Sequence, residues 1–214
     1  MHAKPDLRVV LKMEDRWLRL GDRGRYHAQT KDHMYNTDAP KFPQCVDLKD
    51  VRVTTIILPA FSGTQFRNGP YGAVSAPGAS SGETHARCDT SLPIEDFRRV
   101  IEWIVARDEV IRDALFASLM DHYKEGREIE LDCLEDEDPN VVLPEIQNSL
   151  ELLPLCGLVA VHINAVLESE DPLFGIELGC NWETDRGAGA RFLGLVVDSA
   201  GDADHSFIFP KPAG

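Results

Sequence analysis

Between Phe174 and Trp182 every second residue is apolar: Phe174, Ile176, Leu178, Cys180 and Trp182 alternate with Gly175, Glu177, Gly179 and Asn181. Successive side chains of a strand point to opposite faces, so this pattern predicts a strand with one core face. Asp185-Arg186-Gly187 supplies a turn, and the apolar run Phe192–Val197 predicts the next strand. Val159, Val161, Ile163, Ala165 and Leu167 alternate in the same way upstream, and Phe207–Phe209 is a further candidate. Together they predict an antiparallel meander with turns at 168–172, 183–189 and 198–204.

A different period governs the middle of the chain. Phe97, Val100, Ile101, Ile104 and Val105 share one helical face, which Ile111, Leu115, Leu119 and Tyr123 extend. Thr90 or Ser91 is placed to cap this helix, Pro93 suits its first turn, and Glu95 and Asp96 complement its N-terminal dipole. Asp108 interrupts the apolar stripe, so 95–124 reads as one kinked helix or as two helices restarted near Asp108. Pro144 opens a short predicted helix over 145–153 that ends before Pro154.

Towards the N-terminus, Leu7, Val9, Leu11 and Met13 alternate with more polar positions and pair in prospect with Trp17–Leu20 as a hairpin. Val51–Leu58, rich in β-branched residues, predicts a buried strand. Ser62–Ser91 carries five glycines and two prolines and reads as a loose loop over about 62–91. Strands at both ends with helices between them predict a single α+β domain: an antiparallel sheet of N-terminal strands and C-terminal meander, packed against a central helix or helix pair.

Charge narrows the choice of partners. The chain has 22 basic and 36 acidic residues among 214, a net charge of −14. Such a surface repels phosphate backbones and anionic membranes, so nucleic acid and membrane are excluded as expected partners and a basic protein is favoured. The imbalance is uneven: residues 1–31 hold eight basic and four acidic residues, whereas 128–151 holds nine acidic residues and no Lys or Arg. The run Glu135-Asp136-Glu137-Asp138 reads either as a solvated connection or as an acidic docking face. Five cysteines at wide, irregular spacing contain no Cys-x-x-Cys pair. With no apolar stretch of signal or membrane-spanning length, free thiols in a reducing cytoplasm are expected.

The segment Cys180-Asn-Trp-Glu-Thr-Asp-Arg-Gly-Ala-Gly189 resembles a family of bacterial proteins carrying a domain of unknown function. Their closing hairpin reads roughly Cys-x-Trp-Asp-x-Glu-His-Gly-x-Gly, and the resemblance spans about 90–205, including the helical unit ending near Tyr123. Cys180, Trp182, Gly187 and Gly189 match directly, while Glu183, Asp185 and Arg186 replace Asp, Glu and His. Members found among toxin–immunity and contact-dependent systems imply a protein-binding role. A guanidinium neither titrates near neutral pH nor ligates metal, so an acid–base or metal role does not carry over to Arg186. Cys180, Trp182, Gly187 and Gly189 are therefore expected to be structural, and Glu183, Asp185 and Arg186 to pair locally or touch a partner.

Reaction motifs are weak. Gly78-Ala-Ser-Ser-Gly82 matches a nucleophile elbow, but nothing around Ser80 predicts the buried strand and helix that elbow requires. Cys180 with His205 is a conceivable thiol site, although Cys180 shares its face with Leu178 and Trp182. His162 and Asn164 read as surface polar residues of their strand. His27 with His33, and His85 with Cys88, have metal-like spacing in irregular segments. No catalytic residue, metal site or cofactor is expected. The leading expectation is a non-enzymatic, immunity-like binding module acting through Glu183, Asp185, Arg186 and 135–138. Its rival is a hydrolase-type enzyme with a site under the 62–91 loop, which requires His85, Cys88, Cys180 or His205 to converge with a carboxylate.

Overall fold

The computed structural model describes residues 45–65, 79–131, 138, 143–166 and 171–209, and the backbone alone at 18–19, 25–26, 130 and 166. Strands β1 (Leu18–Arg19) and β2 (Arg25–Tyr26) form a two-stranded sheet of their own. The predicted hairpin partner Leu7–Met13 lies outside the described residues; Leu18 pairs with Tyr26. The remaining strands are β3 (Val46–Leu48), β4 (Val51–Ile57), β5 (Glu83–Asp89), β6 (Cys156–Val166), β7 (Pro172–Cys180), β8 (Ala188–Leu193) and β9 (Val196–Asp202). They form one seven-stranded sheet in sequence order, antiparallel throughout except that β5 and β6 run parallel. A parallel pair needs a long crossover, and α1 (Ile94–Val105) and α2 (Asp108–Leu131) lie within it. The fold is α+β, with N-terminal strands and a C-terminal meander packed on a helix pair.

The helix breaks where the apolar stripe does. Asp108 opens α2, and its carboxylate accepts a hydrogen bond from Ala60 N at 2.8 Å, while Arg112 donates to Ala60 O at 3.2 Å. The 3-10 turn Pro59–Phe61 is thereby pinned to the start of α2, with Phe61 against Phe116. Pro93, rather than Thr90 or Ser91, precedes the first turn of α1, and its side chain makes no capping bond. Phe97, Val100, Ile101 and Ile104 of α1 and Ile111, Leu115, Phe116, Leu119 and Tyr123 of α2 are buried. They cover the sheet face that carries Ile56, Ala86, Cys88, Val161, Ile163, Phe174, Ile176, Leu178 and Phe192, which forms the main core.

Several boundaries differ from the periodicity. Residues 83–89, read as part of a loose loop, form interior strand β5, with Thr84, Ala86 and Cys88 buried. The apolar run 192–197 is two strands, because Gly194 at φ +58 permits a tight reversal that pairs Leu193 with Val196. Strand β9 then occupies most of the predicted turn 198–204. In place of the helix expected over 145–153 and ending before Pro154, a 3-10 helix runs from Ser149 to Leu155 with Pro154 inside it, capped by Asn148, whose side chain accepts from Leu150 N at 2.8 Å. No strand forms at 207–209; Ala203–Ser206 is a 3-10 turn instead. That turn folds over the sheet face opposite the helices. A Cβ on Gly175 would lie 1.8 Å from Ser206 O, and one on Gly201 2.8 Å from His205 Nε2. The chain crosses there because Gly175 carries no side chain, while at Gly201 the near atoms are those of the His205 ring.

Candidate functional site

Strand β7 ends at Cys180, and the chain reverses through 181–187 before β8. Gly187 N donates to Glu183 O at 2.9 Å, and Gly187 sits at φ +69, where a Cβ would approach Leu178 O to 2.5 Å. Gly189 is required for close approach instead, since its Cβ would lie 2.9 Å from Ser206 Cβ. Cys180 is buried, and its thiol contacts Glu183 O at 3.7 Å. Trp182 has no exposed surface; it meets Tyr123 edge-on at 5.2 Å and its indole N–H donates to His122 Nδ1 at 3.2 Å. The hairpin is thus clamped to α2.

At the surface of that clamp lies an acidic face. Arg186 donates to Glu183 at 3.1 Å and to Asp202 at 3.3 Å, and Asp185 is exposed beside it. The Arg186 side chain is 68% exposed, so these ion pairs add little stability. Glu183, Asp202 and Glu125 all bear electrostatically on the half-buried His122. On α2 the outward positions Glu109, Asp113, Asp121, Glu125 and Glu128 continue the acidic surface at helical spacing, relieved by Arg112, which pairs with Asp113, and by Lys124, which pairs with Asp121. Asp138 is exposed; Glu135, Asp136 and Glu137 lie outside the described residues.

A second polar cluster lies on the opposite sheet face. Glu177, 3% exposed, accepts from Arg87 of β5 and from His162 Nε2 of β6 at 2.7 Å. The Arg87 guanidinium also stands 3.0 Å from His162 Nε2, and the His162 ring packs on Phe207. His162, read as a surface residue, is mostly covered, while Asn164 is exposed. This cluster spans three strands, and spacing along one chain does not disclose it; the visible signal is a lone Glu inside a strand of apolar residues and glycines.

Among the described residues, His85, Cys88 and His205 lie on separate parts of the sheet, and His205 Nε2 stands 3.6 Å from Asp202 Oδ1. His85 and Cys88 lie on opposite faces of β5: Cys88 is buried towards the helices, and His85 is exposed beside Thr55 at 3.5 Å. Burial raises the Cys88 thiol pKa to about 11, which keeps it protonated and weakly nucleophilic. His205 lies beyond β9, four strands from β5, and its Nδ1 is hydrogen-bonded to Ser199 Oγ at 2.6 Å. This bond holds the C-terminal turn onto β9. Ser80 offers its hydroxyl to Gly82 N at 3.0 Å as a turn acceptor. His27 and His33 lie outside the described residues. Among the described residues no group of three His, Cys, Asp or Glu could hold a metal ion, and no helix is long and apolar enough to cross a membrane.

Burial lowers the pKa of both His122 and His162. For His122, Glu183, Asp202 and Glu125 oppose the shift; for His162, the bond to Glu177 opposes it and Arg87 adds to it. Above an unfolded value of about 6.5 both states hold neutral rings. Below it the unfolded chain takes up protons that the folded chain resists, so this stability is lost as pH falls through the window down to the folded pKa values. Denaturation midpoints measured between about pH 8 and about pH 5 should fall with pH, and less steeply in His122→Asn, which keeps an acceptor for Trp182. Identical slopes in the two proteins would show that His122 is not held neutral.

No curated protein and no solved structure matches the chain. The model of a domain of unknown function, DUF6985, matches residues 82–207, from the start of β5 through the C-terminal turn, and the chain belongs to that family.

Proposed function

We propose that the protein is a non-enzymatic, cytoplasmic protein-binding module, immunity-like in kind, whose acidic surface engages a basic partner. The observation that carries this reading is the continuity of the acidic face: the outward side of α2, from Glu109 to Glu128, meets Glu183, Asp185 and Asp202 at the closing hairpin. These groups project from a helix and a hairpin fixed by Trp182, so a partner meets a preformed charge pattern. Opposite charge on the partner speeds encounter and selects against acidic competitors. Arg186, held between Glu183 and Asp202, leaves Asp185 facing outward as a further contact.

The test is capture of a basic partner by the wild-type chain and by the triple variant Asp121→Lys, Glu125→Lys, Glu128→Lys, each at low and high salt. Exposed charges are screened beyond roughly 10 Å at 0.1 M salt. The wild type should retain its partner at low salt, lose it at high salt, and associate on the order of tenfold faster than the variant. Equal retention by both proteins, or binding insensitive to salt, would remove the acidic face from the interaction.

A further inference from the structure

Away from the acidic face, we propose that Cys156 and Cys180 are a redox-sensitive modification site, which a low-molecular-weight disulfide oxidises to a cross-strand disulfide. The register makes the two residues direct Cα partners, at the start of β6 and the end of β7. Cross-strand partners share a face, and both side chains are buried in the main core. The backbone bonds show which kind of pair this is. Asn181 N donates to Leu155 O at 3.0 Å, bridging the strands just beyond the two cysteines. Cys156 N donates to Leu153 O, and Cys156 O accepts from Gln65 N at 2.7 Å, so both backbone groups of Cys156 are engaged outside β7. This is the non-hydrogen-bonded arrangement, in which Cα atoms stand about 4.5 Å apart and side chains come closest. A disulfide needs Cα atoms about 4.4–6.8 Å apart, a span that such a pair already meets.

Both residues stand as thiols, Cys156 Sγ donating to Leu153 O and Cys180 Sγ to Glu183 O, each at 3.7 Å. Each carbonyl also accepts from a backbone donor, Cys156 N for Leu153 O and Gly187 N for Glu183 O. Turning the sulfurs towards one another therefore leaves no buried oxygen unsatisfied. In the first step one cysteine thiolate attacks the oxidant's S–S bond, which breaks, releasing one thiol and leaving a mixed disulfide. The second thiolate then attacks the protein sulfur of that mixed disulfide and releases the second thiol. Two electrons pass from the cysteine sulfurs to the oxidant, and the two S–H protons leave with the released thiols. In a reducing environment the reverse exchange restores the dithiol. Because both thiols are buried, the exchange passes through local opening of the strand end. The register gives the other described cysteines no such partner: Cys88 of β5 pairs with Arg52, and Cys45 precedes β3, two strands away. The new bond ties to β6 the end of β7 from which the closing hairpin departs.

Incubation of the full chain with mixtures of reduced and oxidised glutathione, until its composition stops changing, tests this site. Unfolding in an alkylating reagent, followed by peptide mass mapping without reduction, reads which sulfurs are joined. The expected product is a Cys156–Cys180 link that excess dithiothreitol cleaves and that Cys156→Ala and Cys180→Ala both lack. In the oxidised wild type the amides of 181–187 should exchange at least about tenfold more slowly than in the reduced protein, while those of α1 keep their rates. Thiols at 156 and 180 that stay open to alkylation even in fully oxidised glutathione overturn the proposal. Glutathione adducts that persist at either position overturn it too, because a pair within bonding distance closes. A link from either residue to another cysteine of this chain or of a second chain overturns the pairing. Joined sulfurs with unchanged exchange over 181–187 overturn the tie to the hairpin. If an alanine variant fails to fold, link mapping of the wild type alone decides. The acidic-face variants leave both thiols in place, so the two proposals fail separately.

Discussion

Trp182→Ala is expected to lower stability by about 3–5 kcal/mol, read as a reduced denaturation midpoint with an unchanged slope. The side chain has no exposed surface, so its removal opens a cavity between the closing hairpin and α2. Helix α2 comes so close there that a Cβ on Gly126 would lie 2.7 Å from Trp182 O, which limits how far the site can collapse. The edge-on contact with Tyr123 disappears as well, and His122 Nδ1 loses its donor. Trp182→Phe keeps an aromatic ring and loses the indole bond, so it should cost less than the alanine variant. A wild-type midpoint for Trp182→Ala would mean that the ring is solvent-facing and free to touch a partner. Because the hairpin carries Glu183 and Asp185, weaker binding by Trp182→Ala would report misplacement of the acidic face rather than a lost contact.

What could be read in advance depended on whether one element or several specify a feature. Strand β7 and the two helices were legible because their apolar residues recur at the period of the element that buries them. The break at Asp108 was legible too, since a carboxylate inside an apolar stripe needs a partner or solvent, and Ala60 N supplies the partner. Strand β5 was not. Thr84-His85-Ala86-Arg87-Cys88 alternates, but apart from Thr84 in small and polar residues that have little strand preference of their own. Their burial comes from β4 and β6 on either side, a tertiary effect. The β8–β9 reversal was hidden for the opposite reason: Phe192-Leu193-Gly194-Leu195-Val196-Val197 is apolar throughout, and only the positive φ of Gly194 turns it. The Arg87–His162–Glu177 cluster required the register of three strands at once.

That cluster carries the second large effect. Glu177→Ala removes a carboxylate that accepts from both Arg87 and His162 in the middle of the sheet. The guanidinium would remain with its Nε already buried and without a hydrogen-bond partner. Breaking a buried pair by removing one member costs about 3–5 kcal/mol, and the Arg87 side chain, 22% exposed, can recover some hydration, which favours the lower end. Glu177→Gln preserves the shape and one acceptor oxygen, so about 1–2 kcal/mol is expected. The combined replacement Arg87→Met, His162→Phe, Glu177→Leu leaves no buried charge and should restore most of the stability lost in Glu177→Ala. Chemical denaturation of the three variants decides the matter. If Glu177→Ala unfolds at the wild-type midpoint, the carboxylate does not hold the guanidinium. If the triple variant is the least stable of the three, the polar contacts across β5, β6 and β7 contribute more than apolar packing can replace, and Arg87, His162 and Glu177 specify strand pairing as well as filling space.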